Sequence, residues 1–161
     1  MFETIVLPLD GSDVAEQAFV HARGLAKELG ATLVMVQAID SLAQRMSQPP
    51  ALIDAPAASA MTVEIMQEAQ DAEKESAEKY LAAHRDALIA DGIKAEAYVG
   101  EGPPVEVIMK LAQDKRAGMI VMCTHGRGGL GRLVFGSVAD AVLKSSTIPI
   151  LLIRAARTDK D

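Results

Sequence analysis

The sequence has no tryptophan, a single cysteine, five aromatic residues and an excess of acid over base. Each shortage excludes something. One cysteine, Cys123, cannot close an internal disulfide or furnish a multi-cysteine zinc or iron–sulfur site, and it suits a reducing compartment. Phe2, Phe19, Tyr80, Tyr98 and Phe135 are too few to build the stacking platforms on which single-stranded nucleic acids are held. Sixteen Lys and Arg against 22 Asp and Glu leave a net charge of −6, the wrong sign for a phosphate backbone. No apolar run approaches the roughly 18 residues that span a bilayer, and Met1-Phe2-Glu3 leads straight into a strand-like segment. A cytoplasmic protein with no nucleic-acid or membrane partner is therefore expected.

What is present is aliphatic. Half of the 161 residues are hydrophobic, enough for one core, and a single domain over residues 1–161 is expected. Thr4 to Leu9 is a short apolar run closed by Asp10-Gly11-Ser12-Asp13, and it reads as a strand buried on both faces. Pro8 belongs near its end, because proline removes a ladder hydrogen bond. Ser12 or Asp13 can cap a helix carrying Ala15, Ala18, Phe19, Ala22, Leu25, Ala26 and Leu29, which Gly30 ends. Thr32 to Ile39 is a second strand. Periodicity then disappears, and with Pro49, Pro50 and Pro56 the stretch 41–61 reads as a long mobile loop.

A helix is expected from about Thr62 to Ala90. Its apolar stripe would be Met66, Ala69, Ala72, Ala77, Tyr80, Leu81, Ala87 and Leu88, with Glu73, Lys74, Glu75 and Lys79 on solvated faces. His21 and His84 have no metal-ligating company and are expected to face solvent. Strands follow at Ala95–Val99, Met119–Cys123 and Pro149–Ile153. Helices open after Gly102-Pro103-Pro104 and span Ser137–Lys144. This alternation is an α/β pattern, a doubly wound five-stranded parallel sheet of order 3-2-1-4-5 with helices on both faces.

In such a sheet the order reverses between strands 1 and 4, and ligands sit beyond the carboxyl ends of the strands there. The residues leaving those strands are Pro8-Leu9-Asp10-Gly11-Ser12 and Cys123-Thr124-His125-Gly126. The second loop continues through Arg127, Gly128, Gly129 and Arg132 to Gly136-Ser137. Its glycines allow close approach of backbone amides, and Ser137 opens a helix whose free amides favour an anion. Gly126, Gly128 and Gly131 formally match a dinucleotide fingerprint, but it stands in the wrong turn and the acidic residue due some 20 positions later is missing. Asp10 either caps its own turn or contacts a ligand. Cys123 is either an activated thiol or an inert one at a strand end.

These residues resemble the universal stress protein family over nearly the whole chain. The likeness is carried by Ile5-Val6-Leu7-Pro8-Leu9-Asp10-Gly11-Ser12 and by the run from Thr124-His125-Gly126-Arg127 through Gly136-Ser137-Val138 to Pro149-Ile150-Leu151. The nucleotide-binding branch has the pattern G-x2-G-x9-G-[ST]; Gly126, Gly136 and Ser137 meet it, and Cys123 replaces its first glycine. The resemblance implies ATP, with Mg2+ or Mn2+ held mainly by the phosphates. It implies that Asp10 faces the nucleoside and that Pro8 and Ala38 line the adenine recess. Cys123, Thr124, His125, Gly126, Arg127, Gly128 and Gly129, with Gly136, Ser137, Val138 and Ala139, would hold the phosphates. It also implies a homodimer acting in stress responses, and strand 149–153, apolar in both directions at the sheet edge, is the expected pairing surface. Three functions stay open: a nucleotide-dependent binding module, a slow ATPase or phosphotransferase using the same site, and a non-nucleotide dimerisation module whose site was lost at Cys123. The protein partner is not named by the sequence.

Overall fold

The structure is a computed structural model that describes residues 2–47, 60–124 and 136–155. Its elements in chain order are β1 (Thr4–Pro8), α1 (Asp13–Leu29), β2 (Thr32–Ile39), α2 (Leu42–Ser47), α3 (Ala60–Ala90), β3 (Ala95–Glu101), α4 (Pro104–Asp114), β4 (Met119–Thr124), α5 (Ser137–Ser145) and β5 (Ile150–Arg154). All the pairings are parallel, as the alternation of elements predicts, and the order is β3-β2-β1-β4-β5, the one expected for a doubly wound sheet.

Strand side chains alternate between two cores. Ile5, Leu7, Leu33, Met35 and Val121 pack with Ala18, Ala22 and Ala26 of α1 and Leu81 and Leu88 of α3. Val6, Val34, Val36, Ile120 and Met122 pack with Ile108 and Ala112 of α4 and Ala139 and Val142 of α5. The central strands are thus buried on both faces, which is why they read as continuous apolar runs rather than alternating ones. Alanines on α1 let that helix lie close to the sheet. At the β3 edge α4 also comes close: a Cβ built on Gly100 would lie 2.4 Å from Cγ1 of Val107.

Two expectations need correction. The stretch 41–61 is not loop throughout, since α2 occupies Leu42–Ser47 and α3 already begins at Ala60; residues 48–59 lie outside the described residues. Ser41 and Gln44 form a reciprocal cap, with the Ser41 amide donating to Gln44 Oε1 at 3.0 Å and the Gln44 amide to Ser41 Oγ at 3.3 Å. That is a capping box, enough to start a short helix. The stripe of α3 also differs. Ala69, Ala72 and Ala87 are exposed, while the buried row is Gln70, Ala77, Leu81 and Leu88. Glu73 and Lys74 do not simply face solvent: Glu73 pairs with Arg45 of α2, and Lys74 with Glu101 at 3.1 Å.

Candidate functional site

A cleft of about 320 Å³ opens where the strand order reverses, at the carboxyl ends of β1, β2 and β4. That volume is at the lower end of small-molecule sites. Parallel alternation places Pro8, Val36, Ala38 and Met122 on the same side of the sheet as α4, and they form the apolar floor, closed laterally by Pro104 and Ile108. Leu9, Asp10, Ser12, Val14 and Ala15 bring in the turn after β1 and the start of α1, and Cys123 marks the exit of β4. Gly136, Ser137, Val138 and Ala139 complete the wall.

The β1–α1 turn is built by local chemistry. Gly11 has φ +76°, a conformation that costs an L-residue energy and glycine little. It lets the chain reverse so that the Ser12 amide donates to Asp10 Oδ1 at 3.0 Å. Ser12 Oγ in turn accepts from the Ala15 amide at 3.1 Å and caps α1. Asp10 therefore does cap its own turn, and the same carboxylate also lines the cleft. One Asp10 oxygen is engaged by the backbone in this way, and a carboxylate has acceptor capacity to spare.

Opposite stands the N-terminus of α5. Gly136 is its N-cap with no side-chain capping bond. The first helical bond is the Asp140 amide to the Gly136 carbonyl at 2.9 Å. The amides of Ser137, Val138 and Ala139 precede that bond, and together with the helix dipole they make a positive end suited to an anion.

Of the residues expected at a site, Pro8, Asp10, Ala38, Cys123 and Gly136–Ala139 are brought together around this cleft. Thr124 is not on its wall; it is buried, with its hydroxyl 3.5 Å from the Ile153 carbonyl oxygen. His125, Gly126, Arg127, Gly128 and Gly129 lie outside the described residues, as do Gly131 and Arg132. Val36, Met122 and Ile108 were missed because valine, methionine and isoleucine at those positions read as plain core. Period-2 alternation from Val6, Val34 and Ile120, once the strand order is fixed, would have found the first two.

Burial pushes the Cys123 thiol up from its ordinary value, so at neutral pH it is a neutral, weakly reactive group rather than an activated nucleophile. His21 is exposed as expected, but His84 is not solvent-facing. Its side chain is 19% exposed, and Phe19 meets it edge-on at 4.6 Å between ring centres. Packing between α1 and α3 overrides the solvent-facing default.

Among the described residues no group of three or more His, Cys, Asp or Glu could hold a metal, and Asp10 is the one carboxylate among the described lining residues. This donor set fits a divalent cation delivered on a phosphate chain, not one caged by protein ligands.

The model of the universal stress protein family matches residues 1–154. Universal stress protein MJ0531 of Methanocaldococcus jannaschii is 32% identical over 159 residues, covering 99% of this chain and 86% of its own. The solved structure of MJ0577 superposes with TM-score 0.77 at 24% identity, over 98% of this chain and 99% of that one. A universal stress protein solved in complex with cAMP superposes with TM-score 0.61 at 22% identity, over 95% and 97%.

Proposed function

The chain belongs to the universal stress protein family, and we propose that it is an ATP-binding member acting as a nucleotide-dependent dimeric binding module in a stress response. One observation carries the reading. The cleft has an apolar floor of Pro8, Val36, Ala38 and Met122 at one end and the uncapped amides of α5 at the other. A planar base fits the first, a phosphate chain the second, and a sugar hydroxyl can donate to Asp10 between them. The solved relative that holds cAMP is an adenine-nucleotide complex on the same fold, which supports the choice of base.

In this reading Ser137, Val138 and Ala139 orient the phosphates, joined by Cys123 and by residues 125–129. Mg2+ or Mn2+ arrives on the nucleotide and neutralises phosphate charge. The protein works by binding: occupancy alters the surface of a homodimer formed through β5. Catalytic turnover would need a positioned base or water-orienting group. On the described wall only Asp10 offers a carboxylate for that role, and its Oδ1 is committed to the Ser12 amide.

Titration calorimetry with ATP and with NAD, each with Mg2+, tests the assignment. Tighter ATP binding is expected, because the acidic residue of a dinucleotide site is missing. Tighter NAD binding would overturn it.

A further inference from the structure

α3 outruns the strands it packs on. Gln70 donates to Oε2 of Glu101 at 3.0 Å, and Glu101 is the last residue of β3. α3 is the crossover between the parallel strands β2 and β3, so it runs opposite to them. Residues 60–69 therefore continue past the carboxyl edge of the sheet by about 15 Å of helix. The cleft opens at that same edge.

The overhang carries large apolar side chains on its outer face. Met61 and Ile65 are 71% and 56% exposed. Nine residues, or about two and a half turns, separate Met61 from the buried Gln70, which sets the two on opposite sides of the helix. Ile65 stands about one turn after Met61 on the outer side, and the exposed Ala69 and Ala72 continue the row. This is the spacing of a helical seam, and its alanines leave room for a neighbouring helix to approach. Glu64, Glu68 and Asp71, also exposed, flank one side of the row. Asp71 accepts from Gln67 at 3.1 Å, and among the described residues none of the three forms an ion pair. Further along the helix the acids are matched, Glu73 by Arg45 and Glu75 by Lys79.

We infer that the outer face of α3 from Met61 to Ala72 is a docking surface for an amphipathic helix of a protein partner, with Lys or Arg beside its apolar seam. Charge chooses this occupant. In paired helices the residues beside the seam select the partner by sign. Three carboxylates without cations repel a second α3 and an anionic lipid surface, and they attract a basic helix. About three turns with two large anchors suit a weak, exchangeable contact rather than a permanent one. The seam shares no residue with the cleft, so the inference stands whether or not ATP binds there.

The probe is a synthetic helix of about 18 residues, five turns, with Leu at seam spacing and Lys beside it. A second peptide has Glu in place of Lys. Both are titrated by fluorescence anisotropy against the full chain without nucleotide. The Lys peptide should bind, and the Glu peptide should bind at least about tenfold more weakly. Met61→Gln with Ile65→Gln should weaken the Lys peptide about tenfold or more. Glu64→Gln, Glu68→Gln and Asp71→Asn together should weaken it and flatten its salt dependence. Neutralising Glu3, Glu28 and Asp114, exposed acids toward the other end of the sheet, should leave binding nearly unchanged. Ile65→Lys alone places a repelling charge in the seam and should abolish binding. Solvent-facing changes of this kind should leave urea midpoints near wild type.

A Lys peptide that does not bind, or a Glu peptide that binds equally well, would overturn the surface. So would equal losses from the two sets of neutralised acids, or binding indifferent to the Met61 and Ile65 changes. If Ile65→Lys instead lowers the mass seen by light scattering, a second copy covers this face and the basic partner is ruled out.

Discussion

Cys123 stands where the nucleotide-binding pattern has a glycine, and two physical requirements can lie behind a glycine. One is backbone conformation. Among the described residues the non-glycine with positive φ is Arg116, at +49°, so Cys123 continues β4 with ordinary extended backbone and pays no left-handed penalty. The other is space beside the ligand. The thiol is small, partly buried, and packs toward the core beneath α1. Its raised pKa, caused by burial, leaves it uncharged and so no source of repulsion toward phosphate. Cys123→Gly should therefore change ATP affinity by less than about tenfold, or about 1.4 kcal/mol, measured by calorimetry on both proteins. A wild type that fails to bind ATP beside a glycine variant that binds well would instead make this chain a dimerisation module that lost its site at this residue.

At the scale of elements, α3 shows how an alanine-rich helix hides its face. Its 31 residues carry alanines on every side, and alanine contributes too little hydropathy contrast to mark the buried row. That row also contains a polar residue: Gln70 is 4% exposed and donates to Glu101 Oε2 at 3.0 Å. Burial rather than sequence pattern decides what a substitution costs. Leu81→Ala, at a position 1% exposed, should destabilise the fold by about 2–5 kcal/mol. Ala72→Ser, at an exposed position, should stay within about 0.5 kcal/mol, although the stripe read from sequence contains both. Urea unfolding of the two variants checks this. The strands were legible for the opposite reason: β-branched runs buried on both faces leave a strong signal, and Thr32–Ile39 is matched to the residue. α2 was not legible under a breakdown of periodicity, although Ser41 and Gln44 stand at capping-box spacing. In the cleft, turn and helix-start residues such as Asp10, Gly136 and Ser137 announced themselves by residue type, while Val138 and Ala139 came only with the family resemblance. Val36, Met122 and Ile108 did not, because an apolar wall uses the same residues as a core.

For the whole molecule the open question is assembly, and the hydrogen-bond pattern of β5 says how to ask it. The Ile120 amide donates to the Pro149 carbonyl at 2.9 Å, and the Ala155 amide to the Thr124 carbonyl at 3.2 Å. In a parallel ladder the bonding residues of one strand alternate, so residues 149, 151, 153 and 155 turn their backbone toward β4. Ile150, Leu152 and Arg154 then turn theirs to the open edge, since β5 is the last strand. An unpaired edge with aliphatic side chains is a template for another strand. A two-fold axis normal to the sheet would set β5 antiparallel to its copy and continue the sheet through both chains. Leu151→Lys is an ambiguous probe, because Leu151 also packs on the core beneath α1 and its loss would unsettle the fold. Leu152→Pro is more direct: Leu152 also packs on a core, the one beneath α4 and α5, but this change deletes an outward amide and leaves the ladder to β4 intact, a role proline tolerates on edge strands. Light scattering should find wild type dimeric and Leu152→Pro monomeric, with circular dichroism showing the variant folded. A monomeric wild type, or a folded Leu152→Pro that remains a dimer, would remove β5 as the joining strand. The site would then have to act from a single chain or through a different face.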